Sequence, residues 1–145
     1  FFTGQSITME FIQFLQGELL LTGTLFALII LLIVNFYSEK FRKYEVVDTN
    51  GAVSLMDDDE LVILDVREEK ERSVGFISND INIPMGQVKG KVDSLEKSKN
   101  ILVYCKSGTR SDRIADLLSK SDFQKVYSLK GGFNSWLKAE LPIDK

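Results

Sequence analysis

The chain of 145 residues contains no histidine and a single cysteine, Cys105. The missing histidine excludes cysteine-histidine proteases, serine-histidine-aspartate hydrolases and histidine-based metal sites within these residues. A single cysteine excludes an internal disulfide, a C-x-x-C redox pair and a cysteine-rich zinc site. Chemistry at Cys105 therefore needs a thiolate stabilised by its surroundings, and any sulfur adduct needs a resolving thiol from another molecule.

An excess of positive charge is also missing, since 18 Lys and Arg face 21 Asp and Glu and the net charge is −3. No basic stripe or aromatic repeat is present, and we therefore expect no nucleic-acid partner. The acidic run at residues 57–60 lacks the regularly spaced ligands and the glycine of a calcium loop. We expect neither a metal nor an organic cofactor.

One long segment, residues 19–38, carries no charge. Its twenty residues, as a helix rising about 1.5 Å per residue, span about 30 Å, the thickness of a bilayer's hydrocarbon core. This pattern predicts one transmembrane helix and makes the lipid bilayer a partner. Residues 1–18 form an N-terminal extension, within which the origin of residues 1–8, ahead of Met9, stays open.

Charges flanking the span predict its orientation. Residues 1–18 contain no Lys or Arg, whereas the linker at residues 39–43 contains Lys40, Arg42 and Lys43. By the positive-inside rule, the N-terminus is expected outside and the domain at residues 44–145 in the cytoplasm. A reducing cytoplasm also suits a cysteine that must remain free to react.

Residues 44–145 alternate short apolar runs with helical patterns, which predicts an α/β domain built on an open parallel sheet with helices on both faces. The predicted strands are Tyr44–Val47, Leu61–Asp65, Ile81–Ile83, Ile101–Tyr104 and Val126–Leu129. The predicted helices are Asn50–Asp57, Glu68–Ser73, Gly86–Lys97, Ser111–Ser121 and Gly132–Ala139. In such sheets, ligand sites lie beyond the carboxyl ends of the strands, where Asp65 and Cys105 are expected.

Cys105 begins a polar loop between a predicted strand and a predicted helix. Backbone N–H groups at the start of a helix favour an anion, and Gly108 allows a turn that points successive N–H groups inward. Cationic Lys106 and Arg110, with the hydrogen-bonding residues Ser107, Thr109 and Ser111, complete the loop. The pattern predicts a reactive thiolate in an anion-binding loop.

Two other interpretations of this loop are less favoured. A lone cysteine is often a small buried hydrophobic residue, but this one opens a polar, cationic loop instead of lying inside the apolar strand. A cysteine-dependent phosphatase is disfavoured because Cys105 and Arg110 are separated by one residue fewer than in that class, whose arginine position is here occupied by Ser111.

Five ordered segments resemble those of the rhodanese family of sulfurtransferases. They are Cys105-Lys106-Ser107-Gly108-Thr109-Arg110 (C-x-x-G-x-R), Leu64-Asp65-Val66-Arg67-Glu68 (D-x-R-E), Gly75-Phe76-Ile77 with Ile81-Asn82-Ile83-Pro84 (G-H-I…N-I-P), Leu129-Lys130-Gly131-Gly132 with Trp136 (L-x-G-G-x-x-x-W), and Leu141-Pro142. Two departures are Phe76, where the family usually has histidine, and the pair Asp80 and Ile81, where it has small residues. Neither departure lies in the cysteine loop.

The resemblance implies that Cys105 is the catalytic nucleophile and carries a persulfide. Residues Lys106, Ser107, Gly108, Thr109 and Arg110 would bind the substrate, and Asp65, Arg67 and Ser111 would support the site. The sulfur donor would be thiosulfate or a persulfide, and the acceptor would be cyanide, a small thiol or a protein cysteine. For Asp65 and Arg67, a structural role tying neighbouring loops together is favoured over contact with substrate.

An alternative of another class is a membrane-tethered interaction module that uses the same fold to bind a membrane protein and has little catalytic activity. The intact cysteine loop favours the enzyme. A membrane anchor gives no obvious advantage to small-molecule sulfur transfer, which keeps the module as the second hypothesis.

Overall fold

A computed structural model describes residues 2–145, and the chain divides into two units, one ending at Phe41 and the other spanning Arg42–Lys145. The first unit consists of helices α1 (Phe2–Gly17) and α2 (Leu19–Lys40). Residues Leu19–Ser38 of α2 have a mean hydropathy of 2.6, and none of them is buried by protein. One apolar helix of sufficient length to span a membrane is therefore present, as predicted, although α2 continues to Lys40 and leaves a shorter linker.

The second unit is a five-stranded sheet in which every strand pair is parallel, with strand order β1-β5-β4-β2-β3. This confirms the predicted open parallel sheet. The strands are β1 (Glu45–Val47), β2 (Leu61–Asp65), β3 (Asp80–Asn82), β4 (Asn100–Tyr104) and β5 (Lys125–Leu129). The helices are α3 (Thr49–Leu55), α4 (Glu69–Arg72), α5 (Met85–Lys91), α6 (Thr109–Ser119) and α7 (Gly132–Lys138), with a single 3-10 turn at Val92–Ser94.

Alternation along the strands divides the apolar side chains between two cores, one on each face of the sheet. Ile101 and Val103 of β4, with Cys105 directly after it, join the core under α5 and α6, whereas Leu102 and Tyr104 of β4 join the core under α3 and α7. Both faces are covered because the helices of a parallel sheet lie on its two sides.

Most bounds of the strands and helices differ from the predictions, among them those of α6, α5 and β3. Helix α6 begins at Thr109 instead of Ser111, because Gly108 adopts a left-handed conformation (φ 101°) and serves as its N-cap. The helix predicted over Gly86–Lys97 stops at Lys91 and tightens into the 3-10 turn. Strand β3 begins and ends one residue earlier than predicted and lies at the sheet edge, where Ile81 is 45% exposed.

The strand order determines which loops meet. Because β5, β4 and β2 are neighbours and parallel, their carboxyl ends lie side by side at one edge of the sheet. The segments that follow them contain Gly131 and Gly132, Cys105, and Arg67 respectively. Residues far apart in the chain therefore meet at the edge where sites of open α/β sheets form.

Candidate active site

The Cys105 side chain lies at the centre of the loop between β4 and α6. Cys105 is fully buried, and its Sγ accepts a hydrogen bond of 3.1 Å from the Gly108 N–H. The Ser111 hydroxyl lies 3.6 Å from the same sulfur and donates to the Gly108 carbonyl at 2.9 Å. The loop therefore wraps around the sulfur, and Gly108 and Ser111 are its polar neighbours.

Helix α7 holds this loop from the other side. The Phe133 N–H donates to the Cys105 carbonyl at 2.7 Å, and the Asn134 N–H donates to the Lys106 carbonyl at 3.0 Å. In a planar trans peptide, the C=O and the following N–H point in opposite directions. Anchoring these two carbonyls to α7 therefore turns the N–H groups of Lys106 and Ser107 away from α7.

Gly132 permits this approach. Its φ is +60°, and a Cβ at that position would lie 2.4 Å from the Cys105 carbonyl oxygen and 2.7 Å from the Lys106 carbonyl carbon. Any larger residue would push the cysteine loop away from α7. The two-glycine signature thus has a physical explanation, which is the close contact of two backbones.

The start of α6 lies next to the sulfur. The first N–H groups of a helix have no partner within it, and they carry the positive end of the helix dipole. Ser111, in the first turn, is buried beside Ser128, whose hydroxyl lies 3.1 Å from that of Ser111 and donates to Asp112 at 2.6 Å. Sequence analysis missed Ser128, because a serine inside a strand gives no signal of its position.

The two cations of the loop have different environments. The Arg110 guanidinium donates two hydrogen bonds to the Glu71 carboxylate, at 2.7 and 2.6 Å. Lys106 is exposed, and among residues 2–145 no ion pair includes it. Ser107 and Thr109 are also exposed. Arg110, which the sequence predicts to bind substrate, is therefore already paired with the Glu71 carboxylate.

The hydrogen bond from Arg110 is the main reason why the pKa of Glu71 falls from 4.5 to about 2. A hydrogen bond from the Glu68 N–H and the charge of Arg110 lower this pKa further, whereas burial opposes the shift. The same hydrogen bond raises the pKa of Arg110. Sequence analysis missed Glu71, because it lies in an acidic and basic run typical of a solvated helix.

Asp65 and Arg67 lie in a separate buried network. Arg67 is 1% exposed, and it binds both oxygens of Asp65 through Nε and one of them through Nη2 at 2.8 Å. It also donates to the Gly75 carbonyl at 2.9 Å and lies 4.1 Å from the centre of the Phe133 ring. These contacts tie β2 to the segment before β3 and to α7, and the role of Asp65 and Arg67 in the site stays a prediction.

Arg72 and Asp80 extend the network and were not predicted. The Arg72 guanidinium binds Asp65 at 2.6 Å and both oxygens of Asp80, and the Tyr104 hydroxyl also donates to Asp80. Burial and the hydrogen bond to Asp80 raise the pKa of Tyr104. Asp80 thus replaces a small residue with a buried charge that is fully paired.

Phe76, where the resembled family usually has histidine, has a defined packing role. The Arg72 guanidinium lies 4.2 Å from the centre of its ring. Its backbone exchanges hydrogen bonds with Asp144, at 3.0 and 2.9 Å. The aromatic ring therefore covers the ion network, and the change from histidine affects packing at a distance from the cysteine loop.

Within residues 2–145, no group of three or more Cys, Asp or Glu side chains is arranged to hold a metal ion. The polar groups around the sulfur are N–H donors, hydroxyls and one exposed ammonium. Such groups stabilise anions. The site can therefore stabilise a thiolate and the negative charge of a leaving group.

A model of the rhodanese-like domain family matches residues 49–139. The chain belongs to this family. It is 36% identical over 83 residues to a thiosulfate sulfurtransferase, GlpE, of Coxiella burnetii, covering 57% of this chain and 77% of that protein. A crystal structure of a rhodanese-related protein from Thermoplasma volcanium has a TM-score of 0.65 at 30% identity, covering 70% of this chain and 98% of the other.

Two relatives carry no functional name. The uncharacterized protein YqhL of Bacillus subtilis is 38% identical over 74 residues, which cover 51% of this chain and 59% of that protein. The uncharacterized protein YibN of Escherichia coli is 28% identical over 137 residues, covering 92% of this chain and 96% of YibN. The similarity to YibN therefore includes most of the N-terminal unit.

We expect Gly132→Ala to lower the free energy of unfolding by at least about 1 kcal/mol, since the new Cβ meets the loop carbonyls and the backbone has a positive φ. Urea unfolding followed by the fluorescence of Trp136, the single tryptophan, measures the change. Gly90→Ala is the control, because nothing lies within 4 Å of its added Cβ. Equal stability of the two variants would contradict the proposed backbone contact.

The ion pair between Glu71 and Arg110 predicts that the stability of the fold depends on pH. Because the folded pKa of about 2 lies below the ordinary 4.5, the pair stabilises fully above pH 4.5 and loses this effect as the pH falls through about 2. Glu71→Gln should lower stability at pH 7 by about 1 kcal/mol, and its difference from the parent should shrink as the pH falls below 4.5.

The control for this pH dependence is Glu69→Gln, which removes an exposed carboxylate from the same helix. This variant should leave the unfolding curves unchanged at pH 7 and also below pH 4.5. A stability difference for Glu71→Gln that is constant with pH would show that the ion pair does not stabilise the fold in this way.

Proposed function

We propose that the chain is a sulfurtransferase in which Cys105 attacks a sulfur donor and carries the transferred atom as a persulfide. Membership of the rhodanese-like family and similarity to a protein named as a sulfurtransferase support this activity. The observation that carries the proposal is the cysteine loop itself. There, the Gly108 N–H lies 3.1 Å from Sγ and the start of α6 follows directly.

In the first half-reaction, the Cys105 thiolate attacks the outer sulfur of thiosulfate or of a persulfide. The new bond joins Sγ to that sulfur, while the donor's sulfur-sulfur bond breaks and its electron pair leaves with sulfite or a thiolate. N–H groups of the loop and the start of α6 stabilise the sulfur anion and the leaving anion. Exposed Lys106 adds positive charge at the entrance.

In the second half-reaction, cyanide, a small thiol or a protein cysteine attacks the terminal sulfur of the persulfide. The bond to Sγ breaks, and its electron pair restores the Cys105 thiolate. Each half-reaction transfers one sulfur atom from one nucleophile to another, which is ping-pong chemistry. Neither step consumes an external oxidant or reductant, and neither needs a proton carried by histidine.

The remaining loop residues have supporting roles in this proposal. Ser107 and Thr109 are exposed at the loop's rim and offer hydroxyl donors to a bound anion. Ser111 supports the sulfur from below. Asp65 and Arg67 act through the loops they hold, since their side chains are occupied by each other and by neighbouring backbone.

We further propose that α2 anchors the domain in a membrane, with the N-terminus outside and the domain in the cytoplasm. The uncovered apolar helix and the basic residues that follow it support this arrangement. The sequence similarity to YibN covers 92% of the chain, so that most of the N-terminal unit is included in it together with the domain. Acceptor proteins at the membrane surface are then within reach.

The test of the activity is the intact mass of the full chain after exposure to thiosulfate or a small persulfide. We expect a gain of one sulfur atom, reversed by cyanide and absent from Cys105→Ser, because Cys105 is the single thiol. A folded chain with a titratable thiol but no adduct from either donor would contradict the enzyme. That result would favour the membrane-tethered interaction module.

The test of the orientation uses two single-cysteine chains, Thr8→Cys and Lys120→Cys, each in the Cys105→Ser background. A membrane-impermeant maleimide should label Thr8→Cys in intact cells, because its position lies before the span. It should label Lys120→Cys, at an exposed position of the domain, only after permeabilisation. The opposite labelling pattern would reverse the proposed topology.

A further inference from the structure

The positive charge of the cysteine loop is partly cancelled within the protein. Both oxygens of the Glu71 carboxylate bind Arg110, and the two side chains are only 27% and 30% exposed. A planar, bidentate pair of this kind uses the geometry with which arginine would otherwise bind an anionic substrate. Of the loop's two cations, only Lys106 keeps an uncompensated charge among the residues described.

This compensation affects donors according to their charge. The electrostatic energy between a donor and the loop scales with the donor's charge. Thiosulfate carries two negative charges, whereas cysteine persulfide, with its ammonium, carboxylate and persulfide groups, carries one net negative charge. Because Glu71 compensates the charge of Arg110, the loop loses more electrostatic attraction for thiosulfate than for an organic persulfide.

A second observation concerns the surface beside the loop. A depression of ≈ 150 Å³ lies next to Lys106 and Glu71. Its apolar wall consists of Val74, Leu137 and Phe133, of which Val74 is 61% and Leu137 42% exposed. Lys70 stands at its rim with Lys106. All these residues belong to the second unit.

The depression matches an organic donor better than an inorganic one. Thiosulfate has no apolar part and would leave the exposed wall in water. The carbon atoms of an organic persulfide would cover part of that wall, which is favourable because apolar surface leaves water. A carboxylate on the same molecule would find the ammonium groups of Lys70 and Lys106 nearby.

We propose that the sulfur donor of this protein is a small organic persulfide of low net charge, bound in the depression beside Lys106, and that Glu71 sets this preference by neutralising Arg110. The inference rests on the proposed sulfurtransferase function and specifies its donor. Glu71 is a positioning residue here, since it acts through Arg110, whereas Leu137 and Val74 contact the donor.

The chemical step is balanced without further reactants. The monoanionic donor is R–S–S⁻ in solution, and it takes up one proton from water to react as R–S–SH. The Cys105 thiolate attacks the terminal sulfur of R–S–SH and forms the Sγ–S bond, while the donor's sulfur-sulfur bond breaks and its electron pair leaves with the thiolate R–S⁻. The donor's proton remains on the transferred sulfur or passes to water. The sulfane sulfur is neither oxidised nor reduced beyond this exchange.

The experiment measures the rate of single-sulfur loading of the full chain by intact mass, with thiosulfate or freshly generated cysteine persulfide as the donor. We expect a kcat/KM at least about tenfold higher for the persulfide, equivalent to a difference of about 1.4 kcal/mol. Glu71→Gln should raise kcat/KM about threefold for the monoanionic persulfide and about tenfold for thiosulfate, since the gain scales with donor charge.

Two further variants separate this effect from general damage. Glu69→Gln, the exposed carboxylate on the same helix, should leave both donors unchanged. Leu137→Ala should raise KM for cysteine persulfide by about threefold through lost apolar contact, with thiosulfate unaffected. Val53→Ala, at an exposed position of α3, is its control and should change neither donor.

Three results would overturn the inference alone. They are an equal or higher kcat/KM for thiosulfate in the parent chain, an equal change for both donors in Glu71→Gln, and an unchanged KM for cysteine persulfide in Leu137→Ala. The absence of transfer from both donors would instead overturn the proposed function, and the inference with it.

Discussion

The sheet edge that contains the candidate active site depends on the buried Arg67 guanidinium. It is 1% exposed and is surrounded by the Asp65 carboxylate, the Gly75 carbonyl and the rings of Phe133 and Tyr104. Burial alone would lower its pKa, but the hydrogen bond and charge of Asp65 outweigh this effect and raise it. Removing one member of such a pair typically costs about 3–5 kcal/mol, because the other charge remains buried without a partner. The network therefore requires that β2, the segment before β3 and α7 keep one relative arrangement.

That arrangement in turn determines the cysteine loop. Helix α7, against which Arg67 stacks through Phe133, donates its first N–H groups to the carbonyls of Cys105 and Lys106. The N–H groups of Lys106 and Ser107 are thus turned away from α7, and the Gly108 N–H donates to the sulfur. On the opposite side, Arg110 is held by Glu71 of α4, which lies between Arg67 and Arg72 in the chain. Charge pairing and backbone hydrogen bonds thus both hold this loop in place.

Much of the fold could be predicted from the sequence because its signals are local. Alternating apolar runs and helical patterns predicted the parallel sheet, and the uncharged run predicted an apolar helix of spanning length, as found. The helix start at Thr109 was misplaced because it depends on the positive φ of Gly108. The Glu71 and Asp80 partnerships could not be predicted, because each joins side chains that only the strand order and the loops bring together. The roles of Cys105 and its loop remain predictions that transfer assays must test.

The contact between the two glycine-containing backbones has a consequence for engineering. Because the conformation of residues 105–108 depends on a helix that starts at Gly132, the loop is not a transferable peptide. Grafting the six residues from Cys105 to Arg110 onto another strand-loop-helix unit would transfer the cysteine without the backbone donors of α7 that orient its loop. A transplant must move two separate segments of chain together, and natural variation at one segment is constrained by the other. The structural unit around Cys105 is thus discontinuous in sequence although the cysteine motif is continuous.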